Sequence, residues 1–137
     1  MGDGTLWADF AENCMHMVRE RLWRNAGIEP QDVGAAEIYD CFSSTVLFGL
    51  EGLGLVPKGG AGDFIRSGAT KVSGTLPVNT HGGLLCEGYL HGMNSITEAV
   101  LQLRGQAGER TVPNLESVVV TSGALMDGSA MVLATHE

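Results

Sequence analysis

Positive charge is scarce in this chain: eight Lys and Arg stand against sixteen Asp and Glu in 137 residues, a formal net charge of −8 at pH 7. The basic residues are scattered, whereas nucleic acid or an anionic membrane as main partner needs them clustered to neutralise phosphate. Neither partner is expected. Cysteine is also sparse. Cys14, Cys41 and Cys86 are odd in number and none falls in a CxxC or Cys/His zinc spacing. A disulfide framework and a metal site are therefore not implied, and a reduced, cytoplasmic setting is the expectation, with all three thiols buried and inert. No apolar run approaches the ~20 residues that a transmembrane helix needs. The leading MGDGTLWADF lacks the basic and apolar regions of a signal peptide, and Leu6 stands where myristoylation wants Ser or Thr. A Gly-Lys-Ser/Thr opening a helix is missing too, which sets aside a P-loop. The expectation is a soluble protein with no membrane insertion.

What is present is ordinary globular composition, 44% apolar and 18% charged, with room for one domain over residues 1–137. Glycine is the exception: there are twenty, concentrated between Gly49 and Gly92, which predicts a middle section of tight loops and close backbone approaches.

Apolar residues at three- and four-residue spacing from Leu6 through Leu22, closed by Gly27, predict an amphipathic helix over 6–25. A short helical turn at Pro30 follows, then a strand over 35–40. Ser43 or Ser44 is the expected cap of a second helix carrying Val46, Leu47, Leu50 and Leu53, which ends among Gly52 and Gly54. The stretch KGGAGDFIRSGAT reads as a surface loop. Residues 76–92 read as a polar, glycine-rich loop, followed by a third helix with Met93, Ile96, Val100 and Leu103 on one face, closing at Gly105. SVVVTSG and SAMVLAT form an expected antiparallel pair around the turn-rich ALMDG. The order is that of a layered α/β fold.

Two tyrosines exist, Tyr39 at the end of the first strand and Tyr89 inside the glycine-rich loop, both where α/β sheets place functional groups. From position alone the favoured reading of each is a packed ring with one hydrogen-bonded hydroxyl. His81 and His91 flank Tyr89 and read as acid/base groups or as polar loop residues. Asp40 reads as an orienting carboxylate or as the cap of the next helix.

Three stretches carry a family resemblance: EIYDCF at 37–42, NTHGGLLCEGYLHG at 79–92 and SG…DGSA at 122–130 resemble the three C-terminal active-site loops of the thiolase superfamily. The spacing and intervening helices agree over nearly the whole chain, most closely with the lipid-transfer-protein branch related to sterol-carrier-protein thiolases. The resemblance implies an α/β fold, the C-terminal part of a thiolase-like layered fold with helices packed on a mixed sheet, incomplete relative to a full thiolase. In a typical thiolase the loops read Asn-Glu-Ala-Phe, Gly-His-Pro and Cys-x-Gly. Here Tyr39 stands for the Asn, Tyr89 for the catalytic His and Thr121 for the acid/base Cys, while Gly82, Gly83, Gly88 and Gly92 keep the glycine framework.

Paired tyrosines resemble the thiolase-like aldolases of steroid side-chain degradation, which cleave a β-hydroxyacyl-CoA into a ketone and a shorter acyl-CoA. The resemblance implies catalytic Tyr39 and Tyr89, supporting Asp40, Asn79 and His81, and contact with substrate or coenzyme A through Gly82, Gly83, Gly88 and Gly123. Coenzyme A enters as part of the acyl-CoA substrate, with no tightly bound cofactor. Implied partners are a second copy in a thiolase-type dimer, the N-terminal thiolase half and a small OB-fold protein. A sterol-carrier-type acyl-CoA thiolase or acyltransferase, and a non-catalytic acyl-CoA or lipid-binding subunit, are the alternatives.

Overall fold

A computed structural model describes residues 12–88, 90–124 and 126–135. The elements run α1 (Cys14–Ala26), β1 (Ala35–Glu37), α2 (Ser43–Gly52), α3 (Ala61–Arg66), α4 (Met93–Leu103), β2 (Ser117–Ala124) and β3 (Asp127–Ala134), with single helical turns at Pro30–Asp32, Leu84–Cys86 and Gly108–Arg110.

The first helix begins later than its apolar periodicity suggests. Asn13 is extended (φ −145°), and its side chain accepts from Met15 N at 2.8 Å while its own N–H donates to His16 Nδ1 at 3.2 Å. These two bonds satisfy donors that a helix start leaves open, so a continuous helix from Leu6 to Asn25 is broken at Asn13. Leu6, Trp7 and Phe10 lie outside the described residues. Gly27 closes the helix as expected, at φ +69°, a left-handed conformation that any β-carbon would oppose.

The sheet orders β1-β2-β3. β1 pairs parallel with β2 from Ala35↔Val118 to Glu37↔Val120, and β2 pairs antiparallel with β3 from Ser117↔Ala134 to Ala124↔Asp127. A bridge from Ala36 to Val78 extends the other side of β1. Ala36, Ile38 and Val119 pack on one face with Met15, Trp23, Leu50 and Leu53 of α1, α2 and the turn after α2. Ala35, Val118 and Val120 pack on the other with Ala99 of α4. Helices thus cover both faces of a mixed sheet, the α/β arrangement expected. Leu50 and Leu53 are fully buried, each worth about 1.5–3 kcal/mol of transfer from water. Among the described residues no helix is long and apolar enough to cross a membrane.

Three expectations are corrected. Ser43 and Ser44 lie inside α2, whose cap position is Phe42 without a side-chain bond. Thr45 consolidates that start instead, its hydroxyl within 2.9 Å of Tyr39 O and 2.6 Å of Phe42 O. The 61–66 stretch is the helix α3 rather than loop, because Glu51 Oε1 of α2 accepts from Ala61 N at 3.1 Å and supplies the cap that the glycines cannot. The first strand stops at Glu37, not Asp40, since the backbone of Ile38 and Tyr39 is taken up by side chains, Asn79 of the loop after Val78 and Thr121 of β2.

Candidate active site

β1 and β2 run parallel, so their carboxyl ends lie side by side, and the residues just beyond them meet the loop that follows Val78. Side chains lock these three segments together. Asn79 takes over the ladder at Ile38: its Oδ1 accepts from Ile38 N at 2.7 Å and its Nδ2 donates to Ile38 O at 2.9 Å. Thr121, 2% exposed, accepts from Tyr39 N at 2.8 Å. Asp40 Oδ1 accepts from Leu84 N at 2.9 Å. The first segment is thereby tied to the third through Thr121 and to the second through Asn79 and Asp40.

The Tyr39 ring lies against the end of the glycine-rich loop. A β-carbon on Gly92 would stand 3.1 Å from Ser122 Oγ and 3.8 Å from Tyr39 Cδ2, so the loop passes directly over both. Tyr89 lies outside the described residues, three positions before Gly92. Its neighbour Gly88 is exposed, and Asn94 of α4 donates to Gly88 O at 3.0 Å and to Glu87 Oε2 at 2.8 Å, strapping this part of the loop to the helix start. Gly123 sits in β2 opposite Gly128. A small cavity lined by Tyr39, Thr121, Gly123, Cys14, Thr45 and Phe48 opens beside the tyrosine. Larger grooves lie elsewhere, between α1 and β3 and beside Trp23.

His81 and Asp40 hold backbone. The His81 side chain is 4% exposed and its Nδ1 accepts from Gly83 N at 2.7 Å, which places the ring proton of the neutral imidazole on Nε2. Nε2 stands 3.4 Å from Ser95 Oγ and 3.6 Å from Glu37 Oε2. Gly83 has φ +87°, and a β-carbon there would collide with the Asp40 carboxylate, so only glycine allows the approach. Gly82, beside it, is exposed.

Behind the loop runs a polar chain absent from the sequence-based candidates. Glu37, fully buried, accepts at Oε1 from Thr80 N at 3.2 Å and lies 2.9 Å from Thr80 Oγ1. Thr80 Oγ1 is also 2.7 Å from Glu98 Oε1, and Gln102 Nε2 reaches Thr80 Oγ1 at 2.9 Å and Glu98 Oε1 at 3.0 Å. Arg110 closes the chain with Nη2 2.9 Å from Glu98 Oε2. Burial, opposed by the Thr80 hydrogen bonds and reinforced by the charges of Glu98 and Asp40, pushes the Glu37 carboxyl up to about 8. Burial would raise Glu98 as well, but hydrogen bonds from Arg110, Thr80 and Gln102 outweigh it and hold that carboxyl below its usual range. The signal that the sequence offers for this is a glutamate between apolar Ala36 and Ile38 within the expected 35–40 strand.

The cysteines divide. Cys14 is buried, which pushes its thiol pKa up, Cys41 is half-buried, and Cys86 is exposed. Uniform burial is corrected at Cys86, since Leu84 takes the inward position of that helical turn and leaves Leu85 and Cys86 outward.

Comparison with known proteins places this geometry in context. Residues 5–135 match the thiolase C-terminal domain-like family. A 17-hydroxy-3-oxo-4-pregnene-20-carboxyl-CoA lyase of Mycobacterium tuberculosis is 47% identical over 119 residues, covering 87% of this chain and 31% of the relative. A steroid side-chain-cleaving aldolase of Thermomonospora curvata is 43% identical over 119 residues, with 87% and 30% covered. The solved structure of an Ltp2-ChsH2(DUF35) aldolase superposes with a TM-score of 0.89 at 39% identity, over 94% of this chain and 34% of that one. The chain spans about a third of the length of these relatives.

Proposed function

The chain belongs to the thiolase C-terminal domain-like family, and from that membership we propose that it supplies the tyrosine-bearing part of a retro-aldolase site that cleaves a β-hydroxyacyl-CoA, of steroid side-chain type, into a ketone and a shorter acyl-CoA. The observation that carries the reading is the placement of Tyr39. Its backbone is fixed by Thr121 at 2.8 Å, and its ring lies against Gly92 in the loop that contains Tyr89.

The chemistry follows from what the site has and what it lacks. A base takes the proton of the β-hydroxyl, the bond between the α and β carbons breaks, the ketone departs, and an acid delivers a proton to the α carbon of the thioester enolate. Tyr89 is assigned as the base and Tyr39 as the acid, roles that exchange without changing the balance. A phenol titrates near pH 10, so acting as base at neutral pH costs roughly 4 kcal/mol unless the site lowers it. Thiolysis needs an activated thiol and a proton-shuttling Cys-His pair, and here Thr121 spends its hydroxyl on the Tyr39 backbone. Asp40, Asn79 and His81 serve by holding the loops. Gly82 N and Gly83 N already donate to Asn79 O and His81 Nδ1, so Gly88 is the loop glycine assigned to offer its N–H to the enolate oxygen, while Gly82 and Gly83 shape the loop around the substrate and Gly123, where a β-carbon would collide with Asp127 O, shapes the strand end beside it.

Coenzyme A belongs to the substrate, and no tightly bound cofactor enters the reaction. An N-terminal thiolase half, a second copy in a dimer and a small OB-fold protein are the partners proposed. Exposed Phe42, Leu85, Leu90 and Met93, each at least 54% accessible around the site loops, support completion by further protein or by an acyl chain. A cytoplasmic setting fits the free thiols. The test is turnover by the assembled full-length protein: a β-hydroxyacyl-CoA should be cleaved without free coenzyme A, and a strict requirement for free coenzyme A would replace this reading with thiolysis.

A further inference from the structure

One hydroxyl proton serves two carboxyl groups in the chain behind the loop. Thr80 Oγ1 lies 2.7 Å from Glu98 Oε1 and 2.9 Å from Glu37 Oε1, yet a threonine hydroxyl has a single proton to give. Glu98 is the ionised partner, because Arg110 donates to both of its oxygens, at 3.2 and 2.9 Å. The threonine proton therefore goes to Glu98, at the shorter distance, and the contact to Glu37 needs a proton from Glu37 itself.

The surroundings of Glu37 agree. Its side chain is fully buried, and its Oε2 has no hydrogen-bond partner among the described residues. The groups facing it are Asp40 from its own segment, His81 from the glycine loop, and Glu98 with Arg110 from the side of α4. β2 faces it with Val120 at its register. Arg110 is committed to Glu98, and two of the remaining groups are carboxyls, so an ionised Glu37 would be buried among like charges.

We infer that Glu37 is held as a neutral carboxylic acid and acts as a positioning residue for the glycine loop, donating from Oε1 to Thr80 and presenting Oε2 to the Nε2–H edge of His81. The consequence reaches the loop in one step. With its proton turned to Glu37 and Ser95, His81 offers Nδ1 as acceptor to Gly83 N, and the next amide, Leu84 N, is held by Asp40 beside Tyr39. Ionising Glu37 sets two carboxylates across one hydroxyl and breaks that chain. The protonation state stands without the aldolase reading. Its effect on turnover rests on that reading.

The stability test needs no turnover. An acid with its pKa raised from 4.5 to about 8 holds more protons folded than unfolded between those values, so its contribution is full below the lower one and is lost as pH rises toward the upper. In the assembled full-length protein, Tm should fall from pH 5 to 8 more steeply for wild type than for Glu37→Gln, whose amide donates to Thr80 Oγ1 and accepts from His81 at every pH and gives up only the 3.2 Å bond from Thr80 N. Equal slopes overturn the inference. Infrared spectra of wild type should contain the carbonyl stretch of a protonated carboxylic acid at pH 6, retained in Glu98→Gln and titrating away on the alkaline side. Its absence overturns the inference even if Glu37→Gln fails to fold. For turnover, Glu37→Leu should lose kcat, and Glu37→Gln should recover it at pH 7 and move the alkaline decline upward. A Glu37→Gln protein as impaired as Glu37→Leu, with the stability result intact, would leave Glu37 neutral but without a positioning role.

Discussion

The two faces of β1 are built to different rules. Ala36 and Ile38 point into an apolar cluster with Met15, Trp23, Leu50 and Leu53, where contact area dominates and the Trp23 indole N–H donates to Leu53 O at 2.8 Å. Ala35 and Glu37 point the other way, toward α4, where a small apolar cluster shares its space with Thr80, Glu98 and Gln102. A three-residue strand thus separates a face that holds the fold from a face that holds the loops. Perturbing the first should cost stability and leave the rate per folded molecule alone, whereas perturbing the loops that the second holds should cost rate.

The largest effect expected is on rate. Removing a general acid or base typically costs about 10²–10⁴ in turnover, so Tyr39→Phe and Tyr89→Phe should each lose that much while melting near the wild-type temperature. If the two act as one relay, the double variant should be scarcely worse than the worse single one. Measured retro-aldol rates near wild type in both would return the rings to packing and erase the functional side of the contrast. On the opposite face, Leu50→Ala should cost about 2–5 kcal/mol by denaturant unfolding, with kcat unchanged below the melting temperature. A rate loss exceeding the fraction unfolded would show that the dry face reaches the site.

Thr121→Val tests the seam between the faces with a smaller effect. It strips the acceptor from Tyr39 N, a part-buried donor held at 2.8 Å, and losing such a hydrogen bond costs about 0.5–1.5 kcal/mol. Stability and kcat should fall together, with Thr121→Ser restoring both. A variant that lost stability alone would mean that the Tyr39 backbone needs no such anchor for catalysis.

Local signals in the sequence were readable where chain neighbours decide the outcome. Gly27 ended its helix, the 93–103 periodicity became α4, and the two closing strands paired as expected. α3 was hidden, because its glycine-rich stretch forms a helix only once Glu51, ten residues away, caps Ala61. The strand end was misjudged for the same reason: what replaces the ladder at Ile38 is Asn79, 41 residues on. Tyr39 became a catalytic candidate only through the resemblance of its loop to a family pattern, since a lone tyrosine after a strand does not distinguish a packed ring from a proton donor. The Glu37 chain was missed because its partners lie 43 and more residues away, although a glutamate between alanine and isoleucine in an expected strand was visible as an anomaly.

The smallest expected effect is none at all, and it discriminates between mechanisms. An acyl-enzyme route needs a thiolate near the thioester, and Cys86, exposed and three positions before Tyr89, is the thiol best placed to offer one. Cys14 is buried with its pKa raised by that burial, which suppresses the thiolate further. A small thiol-methylating reagent should therefore modify Cys86 first, as read by mass spectrometry, and retro-aldol turnover should persist because neither proton transfer uses sulfur. The reagent must be small, since a bulky label on this loop could obstruct Tyr89 without revealing any role for the thiol. Cys86→Ser removes that ambiguity by deleting the nucleophile while keeping the side chain's size. Full activity in both leaves proton transfer by the tyrosines as the chemistry. Loss in both, with saturating substrate protecting wild type from the reagent and the circular dichroism spectrum unchanged, would put a covalent intermediate on the loop and overturn the separation of rate from sulfur.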